Sequence, residues 1–68
     1  MISILLNGSE QQITIGTLLL DFLFAQYGQD LKGIAVALNG SLARRSSWAE
    51  TTLQADDELE VLHAVAGG

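Results

Sequence analysis

At 68 residues the chain is a single small domain, of a size that buries only about 60% of its extended surface. Apolar residues make up 49% of it and cysteine is absent, so the core forms without disulfide staples, and thiolate metal sites and thiol nucleophiles are excluded. Eight carboxylates against Lys32, Arg44 and Arg45 leave a net charge of −5, a balance that repels a phosphate backbone and argues against nucleic acid as a partner.

Met1 to Leu6 is an apolar run containing β-branched residues and reads as the first strand. It lacks the basic flank of a signal peptide. No apolar run approaches the ~18 residues of a membrane span, so a cytoplasmic protein with no membrane partner is expected. Asn7-Gly8 follows, the preferred pair for a type I′ hairpin turn. Gln11 to Ile15 makes the second strand, with Ile13 and Ile15 on one face and Gln12 and Thr14 on the other.

Thr17 is the expected N-cap of a helix over Leu18 to Tyr27, and Gly28 suits its C′ position. Leu18, Leu19, Phe22 and Leu23 share one face, while Leu20, Phe24 and Tyr27 widen the stripe beyond the usual. Either that helix is unusually well buried or part of it meets another chain, which leaves self-association open. Ile34 to Leu38 is the third strand, and Asn39-Gly40 turns it into a short fourth at Ser41 to Ala43. Ser46 to Thr51 reads as one helical turn capped by Ser46 or Ser47, with Trp48 plugging the sheet edge beneath it. Asp56-Asp57 forms a solvated turn before the last strand, Glu58 to His63, whose Leu59 and Val61 face inward.

A lone long helix must cover one face of a sheet. A crossover by way of that helix returns parallel and right-handed, so the first strand lies beside the last in the sheet centre. The expected class is α+β, a ubiquitin-like β-grasp: a mixed sheet of four to five strands with one main helix packed on one face. Ile2, Ile4, Leu6, Ile13, Ile15, Ile34, Val36, Leu38, Leu59 and Val61 then face the helix. Ser3, Leu5, Ala35, Ala37, Glu60 and Leu62 fall on the other face. Leu5, Ala35, Ala37 and Leu62 there form an expected docking patch, with Leu5 and Leu62 close together.

Chemistry from side chains is scarce. The chain has no phosphate loop, no nucleophile elbow and no histidine–carboxylate metal spacing. Asp56-Asp57-Glu58 is no cation site, because adjacent carboxylates in a tight turn point apart. The sole histidine, His63, is expected to be structural or solvent-facing. No catalytic residue, metal or bound cofactor is expected. The body spans residues 1–63, and 64–68 is expected to be a flexible tail ending in Gly67-Gly68. At glycine's average usage of about 7%, such a terminal pair arises by chance in roughly one chain in two hundred. Glycine passes where a Cβ would clash, so a narrow slot in a partner enzyme could admit Val65, Ala66 and Gly67 and act on the Gly68 carboxylate.

Four segments carry a resemblance: Ala37-Leu38-Asn39-Gly40, Arg45-Ser46-Ser47-Trp48-Ala49-Glu50-Thr51, Asp57-Glu58-Leu59-Glu60-Val61 and the terminal Val65-Ala66-Gly67-Gly68. Together they resemble the ThiS family of thiamin-biosynthesis sulfur carriers, with departures at Arg44, where proline is common, and Ser47, where an acidic residue is common. The resemblance implies that Gly68 becomes an adenylate and then a thiocarboxylate, with Gly67 as its slim neighbour. It implies an E1-like adenylating enzyme using ATP and Mg, a sulfur-donating persulfide protein and thiazole synthase as partners. A carrier for molybdopterin or cysteine synthesis, a ubiquitin-like protein modifier, and an inert interaction module are the competing readings.

Overall fold

Asn7 and Gly8 take φ values of 49° and 84°, and Asn39 and Gly40 repeat them at 51° and 84°. Both central positions of each pair are left-handed, as a type I′ turn requires to follow the twist of its strands. The computed structural model of the chain describes residues 1–63. The expected tail, 64–68, lies outside the described residues.

The first Asn-Gly turn joins β1 (Ile2–Leu6) to β2 (Ser9–Ile13), and the second joins β3 (Ile34–Leu38) to β4 (Ser41–Ala43). Between the hairpins runs α1 (Leu19–Tyr27). A short 3₁₀ helix (Arg45–Glu50) and β5 (Glu58–His63) complete the order. The sheet reads β2-β1-β5-β3-β4. β5 is parallel to β1, with Leu5 beside Glu58 and Leu6 beside Leu59. It is antiparallel to β3 from Leu38 opposite Leu59 to Ile34 opposite His63. This mixed sheet, with its last strand in the centre and one main helix on one face, is the expected β-grasp.

Alternation in the strands directs Ile4, Leu6, Ile13, Ile34, Val36, Leu59 and Val61 into one cluster with Leu19, Phe22 and Leu23 of α1. Leu31, Trp48 and Leu53 close its ends. Leu20 and Tyr27 pack partly against this core, whereas Phe24 remains 38% exposed. The wide helical stripe is thus mostly a packing feature. Trp48 is buried, its indole Nε1 donating to the carbonyl of Ala43 at 3.0 Å. The Arg45 guanidinium lies 4.7 Å from its ring centroid and donates to the Leu31 carbonyl at 2.9 Å. Trp48 therefore plugs the β4 edge as expected, and Arg45 ties the 3₁₀ helix to the α1–β3 connection.

Four local expectations are corrected. Ile15 is 70% exposed, because β2 ends at Ile13 and Gly16 turns the chain away at φ 89°. Thr17 does not cap α1; its hydroxyl donates to the Thr14 carbonyl at 2.6 Å. The helix starts at Leu19 after an extended Leu18, and the Leu19 N–H is satisfied at 2.7 Å by the carbonyl of Thr51, far along the chain. Neither Ser46 nor Ser47 caps the 3₁₀ helix, which begins at Arg45 with Arg44 at the cap position and no side-chain bond there.

Asp57 is not solvated. It is buried, with Oδ1 accepting from Asn39 Nδ2 at 3.0 Å and Oδ2 accepting from the Gln54 N–H at 2.8 Å. Hydrogen bonds to a charged acceptor contribute more than neutral ones. Asp57→Ala should therefore lower the unfolding free energy by about 2 kcal/mol, measured by urea titration. A change under about 0.5 kcal/mol would show that water replaces the carboxylate as acceptor for both donors.

Candidate functional site

The sheet face turned away from α1 divides into two unlike halves. On the β3–β4 side, cross-strand pairing sets Ala35 beside Leu62, Ala37 beside Glu60, and Ala37 beside Leu42. These residues line a hollow of about 180 Å³. Leu42 and Leu62 are each 73% exposed. Leu42 was not among the expected patch residues. Its signal was present: as the middle residue of a three-residue strand it must share a face with its cross-strand partner Ala37.

Leu5 does not join this patch. The parallel register aligns Leu5 with Glu58, so Leu62 lies four residues further along β5, roughly 13 Å at the rise of a strand. Leu5 is half-buried and lines a separate hollow with Ser3, Glu10, Asp56 and Glu58. The helix-free face thus pairs an apolar half with an acidic half. That division was hidden in the sequence because the β1–β5 register joins residues more than fifty positions apart.

His63 is exposed at the end of β5, opposite Ile34. Gly67, Gly68, Val65 and Ala66 lie outside the described residues. β5, which leads to them, is held on both flanks. β3 pairs with it as far as His63. On the β1 side the Asn7 N–H donates to the Leu59 carbonyl at 2.8 Å. The Asn7 side chain then continues to Val61: Oδ1 accepts from its N–H at 2.8 Å, and Nδ2 donates to its carbonyl at 3.3 Å. Asn39 does the corresponding work where the strand begins, accepting from the Glu58 N–H at 2.9 Å. Among the described residues, no group of three His, Cys, Asp or Glu side chains is arranged to hold a metal ion. No helix among them is long and apolar enough to cross a membrane.

Residues 4–68 match the ThiS family. The chain belongs to the ThiS family. ThiS proteins are small sulfur carriers rather than catalysts. Among solved structures, the crystal structure of the thiamine biosynthesis protein ThiS from Geobacter metallireducens superposes with a TM-score of 0.82 at 23% identity, covering 98% of this chain and 100% of that one. The solution structure of a thiamine biosynthesis protein from the same organism gives 0.79 at 23% identity, covering 98% and 88%. At that identity the likeness establishes the shared fold. No curated protein matches the chain.

The two sides of β5 should respond differently to charge. Leu62→Glu on the ThiS apolar half should change the unfolding free energy by less than about 0.5 kcal/mol. Val61→Glu, one residue earlier and buried, should remove more than about 3 kcal/mol or prevent folding. Urea titration of both variants checks this. Equal losses would mean that Leu62 packs against the body.

Proposed function

We propose that this ThiS protein is a sulfur carrier of thiamin biosynthesis whose working group is the main-chain carboxylate of Gly68. The observation that carries this reading is the family match, which runs to residue 68 and so takes in Gly67 and Gly68. The central position of β5 supports it, since the strand leading to those residues is anchored in the middle of the sheet.

An ionised carboxylate resists nucleophiles, because they meet negative charge and an oxide leaving group. An E1-like adenylating enzyme supplies ATP and Mg. A Gly68 carboxylate oxygen attacks the α-phosphorus, pyrophosphate leaves, and the product is an acyl-adenylate with AMP as a good leaving group. The terminal sulfur of a persulfide donor protein then adds at the acyl carbon and displaces AMP. A second thiol cleaves the resulting S–S bond, is oxidised to a disulfide, and leaves a thiocarboxylate on Gly68. Thiazole synthase takes that sulfur into the thiazole ring. Gly67 and the small residues Ala66 and Val65 thread the adenylating enzyme's slot.

The body serves in recognition. Ala35, Ala37 and Leu62, joined by Leu42, offer an apolar contact, and Glu10, Asp56 and Glu58 around Leu5 offer negative charge beside it. A partner with an apolar knob and a basic rim fits that pair of surfaces.

Incubating the chain with an adenylating enzyme, ATP–Mg and a persulfide donor should give an intact mass with one oxygen replaced by sulfur. Higher-mass conjugates would instead mark a protein modifier, and an unchanged mass an inert module. Deleting Gly68 should abolish the mass change while leaving the circular dichroism melt unaltered, because glycine has no side chain to bury. Gly67→Val should block adenylation by steric clash in the slot. Full turnover by that variant would sink the narrow-slot argument.

A further inference from the structure

β1 stops at Leu6, level with Leu59, yet β5 runs on to His63. On the β3 flank, strand pairing accompanies it all the way, through Val36 opposite Val61, Ala35 opposite Leu62 and Ile34 opposite His63. On the β1 flank, the main-chain ladder ends with the Asn7 N–H on the Leu59 carbonyl. The next main-chain groups on that side belong to Val61, and the Asn7 side chain takes both of them, at 2.8 and 3.3 Å. A primary amide carries the same donor and acceptor as a peptide unit. Asn7 therefore supplies the rung that β1 lacks.

Resting on the sulfur-carrier reading above, we propose that Asn7 is a positioning residue for the reactive terminus, its side-chain amide clipping β5 at Val61, ahead of residues 64–68. An enzyme that docks on the body and acts on Gly68 reaches it across those five positions, about 17 Å when extended. Releasing the strand end from Val61 onward adds residues that must be ordered each time the terminus is held. The penalty falls on binding, since the held terminus is the same in either case. Loss of the clip therefore raises KM for the carrier and leaves kcat unchanged. The second Asn-Gly turn is a built-in comparison, because Asn39 grips Glu58 at the opposite end of the strand.

The test pairs Asn7→Gly with Asn39→Gly. Glycine accepts the positive φ of both positions, so each turn survives while its amide is lost. Amide hydrogen exchange should show Val61 and Leu62 losing protection by about five- to 150-fold in Asn7→Gly, the range for two hydrogen bonds of ordinary net strength. In ATP–pyrophosphate exchange with the adenylating enzyme, KM for that variant should rise several-fold at constant kcat. Asn7→Asp, which keeps only the acceptor for the Val61 N–H, should fall between it and the parent. Asn39→Gly should lower overall stability and leave KM unchanged. A parent-like KM in Asn7→Gly, an equal rise in Asn39→Gly, or a fall in kcat at constant KM would each overturn the positioning role alone. Absence of any exchange with the parent chain would overturn the carrier reading and the role together.

Discussion

The pairing of β1 with β5 is the constraint on which the rest of this ThiS structure depends. Without it the chain is two separate hairpins, β1–β2 and β3–β4, with α1 between them and no common sheet to cover. The two strands meet through a short parallel register, and the Asn7–Val61 bonds join residues 54 positions apart. Leu59 and Val61 of the last strand sit in the middle of the core. Neither half of the chain can therefore complete the core alone, and folding must await a contact of high sequence separation. For so small a domain this makes stability a property of the whole.

What was legible in the sequence follows the same division between near and far. β3, β4 and β5 were readable to the residue, and both hairpin turns were plain, because Asn-Gly and two-residue alternation act locally. The central position of the last strand followed from the helix needing one sheet face and the crossover needing one hand. Errors arose where the deciding partner is remote. Thr17 looked like a cap, but the first helical N–H is met by Thr51. Asp57 looked like a solvated turn residue, but its carboxylate is met by Asn39. Ile15 continued a convincing alternation past Ile13, where β2 ends. On the helix-free face, Ala35, Ala37 and Leu62 line one hollow, Leu5 separated from them with the register, and Leu42 joined.

The two Asn-Gly turns show why a short sequence can specify this sheet. In each, the asparagine accepts the left-handed conformation that the turn demands, and its side chain then bonds β5. One residue thus satisfies a local requirement and a long-range one at the same time. Agreement of that kind across levels is what separates a funnelled landscape from a rough one. Asp57 extends it, joining the Asn39 turn to the turn that precedes β5. An aspartate there neutralises a donor from each side and leaves neither carboxylate oxygen idle.

The central position of β5 also has a mechanical meaning. Its bonds to β3 and to β1 run across the strand, so a pull along its axis loads them together, in shear, instead of opening them one at a time. A partner that draws on the end of the chain therefore strains the best-supported strand in the sheet. The β-grasp gives this small domain a load path that runs straight into its core.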